Sequence, residues 1–205
     1  LIAEILNKFN IKATFFINTN FLDNKDLSWI DLLRFIKFDS RFNYLKTEIE
    51  EYFSLNIENL ISTIRNTMII DSYKNSTKRI YHYKEEILKE FNKYLSFDDL
   101  KYLKKLGHSI QSHMSKHERC IFLTNREIVN QINDSVKILN NFETQKTIAI
   151  PFGKKIDISN SQLDLISSKK YIPLMASITN NLSEKFAFDR LPIDGLSPQK
   201  IKKLI

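Results

Sequence analysis

The sequence predicts a mixed α/β fold built on a parallel sheet or barrel, and three observations carry that reading. Helical and extended segments alternate along most of the chain, the order that parallel sheets require. The extended segments are short and apolar. The clearest, Ala13-Thr14-Phe15-Phe16-Ile17, reads as a strand buried on both faces, as in a parallel sheet. Cap and turn residues punctuate the junctions: Ser96, Gly107, the Thr124-Asn125-Arg126-Glu127 box and Pro151-Phe152-Gly153.

Taken in order, Leu1-Ile2, Ile5-Leu6 and Phe9 recur at three- to four-residue spacing and predict an amphipathic helix. That helix opens without a cap or start signal, and its first residue is not Met. An N-terminally truncated domain, missing its first strand, is therefore expected. The 13–17 strand follows. Residues 24–94 are then helical and charged: Leu32, Leu33 and Ile36 form one stripe, Ile57, Leu60, Ile61, Ile64 and Met68 a longer one, and Ile87, Leu88 and Phe91 a third. No strand interrupts them, so this stretch is read as a helical insertion within a single partial domain spanning 1–205.

Ser96 caps the next helix, with Asp98 and Asp99 in the first turn where the helix dipole favours negative charge, and Gly107 past its end. His108 to Ser112 is a strand candidate. Thr124 and Glu127 start a helix through Ile128, Ile132, Val136 and Leu139. Thr147 to Ile150 is extended, Ser161 to Lys170 helical, and Tyr171 to Ser177 and Ala187 to Ile193 extended again.

Composition excludes several classes. A hydrophobic fraction of 42% with 12% aromatic residues is incompatible with disorder, and three glycines and four prolines leave no room for low-complexity linkers. One cysteine, Cys120, excludes an internal disulfide and a Cys-based zinc finger; it is read as filler in a helical turn rather than a nucleophile. No apolar run approaches the 18 or so residues that cross a bilayer. The net charge of +7 raises an anionic partner, but the lysines are scattered and no run of five basic residues occurs, which reads as a solvated helical face.

The segment with chemistry in it is Gly107-His108-Ser109-Ile110-Gln111-Ser112-His113-Met114-Ser115-Lys116-His117. His113 and His117 stand four apart, a spacing that puts two imidazoles on one side of a helix or tight turn, where they can share a metal ion. They follow a strand, where active-site loops of parallel α/β folds sit. With four histidines in the chain the spacing alone is not specific, and two polar residues in a surface turn is the competing reading.

The neighbours add to it. A helix ending in Leu-Gly, then His108-Ser109-Ile110-Gln111-Ser112-His113 and His117, resembles the second motif of the polysaccharide deacetylases (carbohydrate esterase family four, the NodB-homology domain). Phe9-Asn10-Ile11-Lys12-Ala13-Thr14-Phe15-Phe16-Ile17 is similar to that family's helix-to-strand segment, and Ile148-Ala149-Ile150-Pro151-Phe152-Gly153 to its third motif. Arg190-Leu191-Pro192-Ile193 resembles the end strand of members acting on poly-N-acetylglucosamine. The resemblance covers residues 1–22 and 95–195.

It implies a distorted (β/α) barrel of the NodB-homology type and hydrolysis of acetyl groups from N-acetylglucosamine-type polysaccharide. It further implies a divalent metal, zinc first, held by His113, His117 and an Asp, with a second Asp as general base. Both carboxylates are expected upstream of Leu1, so the fragment alone is expected to be inactive. Pro151, Phe152 and Gly153 would shape the substrate groove, with Phe152 stacking on a sugar ring. His108 takes a structural place in the family pattern.

The chain departs from that pattern twice. Ala149 stands where the third motif commonly carries an arginine, and the final Leu-x-His motif has no counterpart after Arg190. The expected partner is a carbohydrate polymer or oligosaccharide, with no nucleic acid and nothing to support membrane association. The compartment is not legible in the sequence; a cell-envelope or extracellular setting is expected over a cytoplasmic one. Two other readings stay open: a non-catalytic carbohydrate-binding relative, and a helical interaction module over residues 24–106 with an anionic partner.

Overall fold

Five parallel strands line up in chain order: β1 (Thr14–Ile17), β2 (Ser109–Ser112), β3 (Thr147–Ala149), β4 (Ile172–Met175) and β5 (Phe188–Asp189). This computed structural model describes residues 2–142, 146–176 and 188–189, the last pair as backbone only. The Arg190-Leu191-Pro192-Ile193 segment lies outside the described residues. The chain divides into two compact units, residues 1–19 with 102–205, and residues 20–101.

In the first unit the register sets where the loops emerge. Ile17 pairs with Ser112 and Ser112 with Ile148, so β1, β2 and β3 end together at one carboxyl edge of the sheet. Crossover helices supply the connections that parallel pairing needs. Helix α8 (Asn125–Leu139) packs on β2, and α9 (Asn160–Ser168) on β4. Their apolar faces meet the sheet in a core that includes Met114, Cys120, Ile128, Ile132, Ile148 and Ile166. Both helices begin as their sequences require. Thr124 and Glu127 form a full capping box, and Ser159 forms another with Gln162.

Two expectations for this unit need correction. Helix α1 (Ile2–Lys8) forms, but its apolar stripe is not buried: Ile2 is 67%, Ile5 49% and Phe9 67% exposed, and Ala3 is the residue that turns inward. Strand β1 was expected to be buried on both faces, yet Thr14 is exposed, Phe15 and Phe16 are half-buried, and only Ile17 is buried. The reason is topological. Among the described strands β1 pairs on one side alone, so it lies at a sheet edge, whereas β2 pairs on both sides and buries Ile110, Gln111 and Ser112.

The second unit holds helices α2 (Trp29–Phe38), α3 (Asn43–Phe53), α4 (Ile57–Asn66), α5 (Ile70–Tyr81) and α6 (Lys84–Glu90). Helix α2 is its centre and contacts each of the other four. Leu32, Leu33 and Ile36 are fully buried there, each contributing about 1.5–3 kcal/mol of apolar transfer. The 57–68 stripe is shorter than expected. Thr67 turns extended (ψ 139°), α4 stops at Asn66, and Met68 is exposed. Helix α7 (Phe97–Lys105) follows, begun by Ser96, whose hydroxyl accepts from the Asp99 N–H (3.1 Å). Gly107 adopts the left-handed conformation (φ 79°) expected past a helix end. No helix among the described residues is long and apolar enough to cross a membrane.

Candidate metal site

His113 is the first residue beyond β2, and backbone of two neighbouring strands, β1 and β3, holds it. Its N–H donates to the Ile17 carbonyl (2.9 Å), and its own carbonyl accepts from the Asn18 amide. Its Nδ1 lies 2.6 Å from the Ala149 carbonyl oxygen. A carbonyl can only accept, so the proton of a neutral His113 sits on Nδ1 and its lone pair on Nε2. Metal-ligating histidines characteristically carry such a bond on the nitrogen away from the ion. Ala149, where an arginine was expected, thus contributes through its backbone.

His117 follows not on a helix but at the end of a tight turn. Met114 starts the turn with a left-handed backbone (φ 63°) that a long side chain rarely adopts. The surroundings over-determine it. The Met114 N–H donates to Ser112 Oγ (3.0 Å), and the Met114 side chain is buried against Cys120 Sγ. Ser112 Oγ in turn lies 2.8 Å from Ser135 Oγ on α8, both buried. One turn away on the same helix, Gln131 accepts from the Lys116 N–H (3.1 Å) and donates to the Glu118 carboxylate (2.6 Å).

The outcome is that the two imidazole ring centres stand 5.1 Å apart, edge to face, with planes at 66°. With Zn–N bonds of about 2.0–2.1 Å and a tetrahedral angle, two imidazoles sharing one ion stand with ring centres roughly 5 Å apart. The pair therefore fits a divalent ion in spacing and donor chemistry, and His113 does so in its outer hydrogen bond as well. Among the described residues no third His, Cys, Asp or Glu joins them.

The Pro151-Phe152-Gly153 loop forms the facing wall. Phe152 is left-handed (φ 60°), as is Gly153 (φ 74°), and the Gly153 N–H donates to the Pro151 carbonyl (2.7 Å). This puts the half-buried Phe152 ring 4.6 Å from the His117 ring, tilted by 47°. Phe152 therefore meets a candidate ligand as well as lining the loop. The 3-10 turns that follow each loop, Cys120–Phe122 and Lys155–Asp157, are joined by a buried ion pair: Arg119 Nε to Asp157 Oδ1, 2.7 Å.

His108 behaves as expected of a structural histidine. It is buried, its Nδ1 accepts from the Ala13 N–H (3.2 Å), and Nε2 faces the Ala3 carbonyl at a long 3.5 Å. Cys120 is also as read. Burial pushes its thiol up to about 12, which removes the thiolate a nucleophile needs. His82 is exposed in the helical unit.

Sequence reasoning missed Ser135, Gln131, Arg119, Asp157 and Gln162, which donates to the Cys120 and Leu123 carbonyls (2.7 and 3.0 Å). A signal for two of them was present. Gln131 and Ser135 stand on the apolar stripe of α8 among Ile128, Ile132 and Leu139, and polar residues there must find partners when buried.

No curated protein matches the chain significantly. A family model described as polysaccharide deacetylase matches residues 1–169, which include both site loops. The chain belongs to the polysaccharide deacetylase family.

Proposed function

We propose that this domain is a metal-dependent carbohydrate deacetylase acting on N-acetylglucosamine-type polysaccharide, with His113 and His117 as two ligands of a zinc or similar ion. The observation that carries the reading is the His113 Nδ1 to Ala149 carbonyl bond (2.6 Å), together with the 5.1 Å ring spacing. It fixes one imidazole in the tautomer of a ligand, within metal-sharing distance of the other. A divalent ion bound there supplies Lewis-acid polarisation of an acetyl carbonyl and acidifies a water. The chain's own residues hold the ion through two imidazoles and keep His113 in the tautomer that binds. They also close one side of the site with Pro151, Phe152 and Gly153, where Phe152 is available to the apolar face of a sugar ring. In the family pattern the carboxylate ligand and the general base belong to an Asp-Asp motif ahead of β1. The strictly sequential order of five parallel strands supports the barrel rather than a doubly wound sheet, whose order reverses. A polymeric glycan substrate favours an envelope or extracellular setting.

Calorimetric titration with zinc or cobalt tests the proposal. One equivalent is expected to bind the full chain, and His113→Ala to abolish it. Absence of binding by the unaltered protein would sink the metal reading. One observation favours a second reading, a non-catalytic carbohydrate-binding relative: Ala149 stands where the family's third motif commonly carries an arginine. Chitooligosaccharide binding without acetate release, in a protein carrying the upstream motif, would select it.

A further inference from the structure

We infer that the amino edge of the sheet is a docking face for an anionic lipid bilayer. The net charge of +7 is not spread evenly. Residues 1–19 and 102–205 carry 18 Lys and Arg against 10 Asp and Glu, whereas residues 20–101 carry 13 against 14. Lysines that stand scattered along the sequence are gathered by the topology. In a parallel sheet every segment entering a strand lies at the same edge, and four of the strands are entered through basic segments. Lys8 and Lys12 precede β1, Lys104 and Lys105 precede β2, Lys146 precedes β3, and Lys169 and Lys170 precede β4. All are exposed except the half-buried Lys104. Against these seven, the sequence has one acidic residue, Glu143, in the junctions 8–13, 104–108, 140–146 and 168–171.

Helix dipoles account for part of this. Lys8, Lys104 and Lys105 lie in the last turns of α1 and α7, where a cation is favoured. Lys146 and Lys170 lie outside the helices. Lys170 also holds a left-handed backbone (φ 65°) that glycine adopts with less strain, so local preference does not call for lysine there. Lys12 donates to the Leu106 carbonyl (2.7 Å), an exposed bond that keeps its charge on this edge.

Charge alone would suit any polyanion; the apolar side chains of the same edge favour lipid. Phe9 is 67%, Ile11 50% and Ile172 42% exposed, each within two residues of one of these lysines. Aliphatic side chains such as Ile11 and Ile172 have no counterpart on a phosphate backbone. A bilayer takes them into the boundary between headgroups and acyl chains while the lysines meet lipid phosphates. The His113 and His117 loops emerge from the opposite, carboxyl edge, so a docked sheet keeps them clear of the bilayer.

Flotation of the full chain with lipid vesicles tests the inference. Vesicles of equal parts phosphatidylcholine and phosphatidylglycerol are expected to carry the protein, and phosphatidylcholine alone to leave it behind. High salt should release it, because the attraction acts within a Debye length of the surface. Lys105→Gln with Lys169→Gln and Lys170→Gln is expected to weaken binding about a hundredfold, since each lysine near an anionic surface contributes roughly fivefold. The same charge change on exposed residues of the helical unit, Lys74→Gln with Lys78→Gln and Lys89→Gln, is expected to leave binding close to that of the parent. Phe9→Ser keeps every charge and should weaken binding about tenfold. If the triple edge variant loses the circular dichroism of the parent, Lys146→Gln and Lys170→Gln are read singly, each expected to cost about fivefold. Failure of the parent to float with the anionic vesicles would overturn the inference, as would equal losses in the two triple variants. Phe9→Ser floating like the parent, with duplex DNA displacing both, would make the edge a general polyanion site and overturn the lipid assignment.

Discussion

Arg119 in the sheet unit and Arg41 in the helical unit meet carboxylates at nearly the same distance. Arg119 Nε lies 2.7 Å from Asp157, and Arg41 lies 2.7 Å from Glu90 through Nη1 and 2.6 Å from Asp39 through Nη2. Their surroundings differ completely. The Arg119 and Asp157 side chains are 0% and 2% exposed, whereas those of Arg41, Asp39 and Glu90 are 58%, 22% and 49% exposed. Distance therefore says little about what an ion pair does; the solvent around it decides. In water the two charges are already well solvated and the gain is small. Inside the core neither charge can be left alone, so the pair binds its two loops into one unit.

The largest effect expected follows from this. Arg119→Ala leaves the Asp157 carboxylate buried without its cation, and removing one partner of a buried pair costs about 3–5 kcal/mol. Urea unfolding followed by circular dichroism should show a midpoint well below that of the parent. A change too small to resolve would erase the distinction between the two arginines.

A smaller effect tests the frame on which the site turn rests. Helix α8 presents Ser135 and Gln131 to the His113–Glu118 turn, and its start depends on the Thr124 capping box, whose hydroxyl accepts from the Glu127 N–H (3.3 Å). Thr124→Ala is expected to cost about 1 kcal/mol, the usual loss for an N-cap oxygen. The same urea experiment checks it. A loss as large as that of Arg119→Ala would mean that an exposed cap holds the turn as strongly as the buried pair does.

The two units also differ in how far they could be read from sequence. Local signals were enough for most elements. The Thr124–Glu127 box, Gly107 past α7 and the apolar stripe of α2 each report on residues within one or two turns, and the structure has them where those signals point. His113 and His117 were legible because their spacing and neighbours form a motif. What was not legible depends on partners far along the chain. Nothing near Ala149 says that its carbonyl meets His113, 36 residues away, and nothing near Arg119 points to Asp157, 38 residues away. The α1 stripe was misread for the same reason. A 3.6-residue period shows that Ile2, Ile5 and Phe9 share a face, but not that anything covers it. Met68 failed through a local break at Thr67 that no glycine or proline announces.

The smallest effect expected is at Arg41 itself. The hydrogen bonds from its guanidinium hold the Asp39 carboxyl below its ordinary value, while Asp39 also caps its own turn through the Arg41 N–H (3.1 Å). A carboxyl depressed on folding contributes stability above its ordinary titration range, and that contribution is lost as pH falls through the folded value. The window is acidic, and the group is solvated throughout. Arg41→Ala should therefore leave the urea midpoint at neutral pH unresolved from the parent and raise the Asp39 titration, followed by carboxyl carbon resonance, toward its ordinary value. High salt should move the unaltered protein the same way, since exposed charges are screened. A midpoint that fell as far in Arg41→Ala as in Arg119→Ala would show that proximity alone suffices, and that burial is not what makes the Arg119 pair a joint.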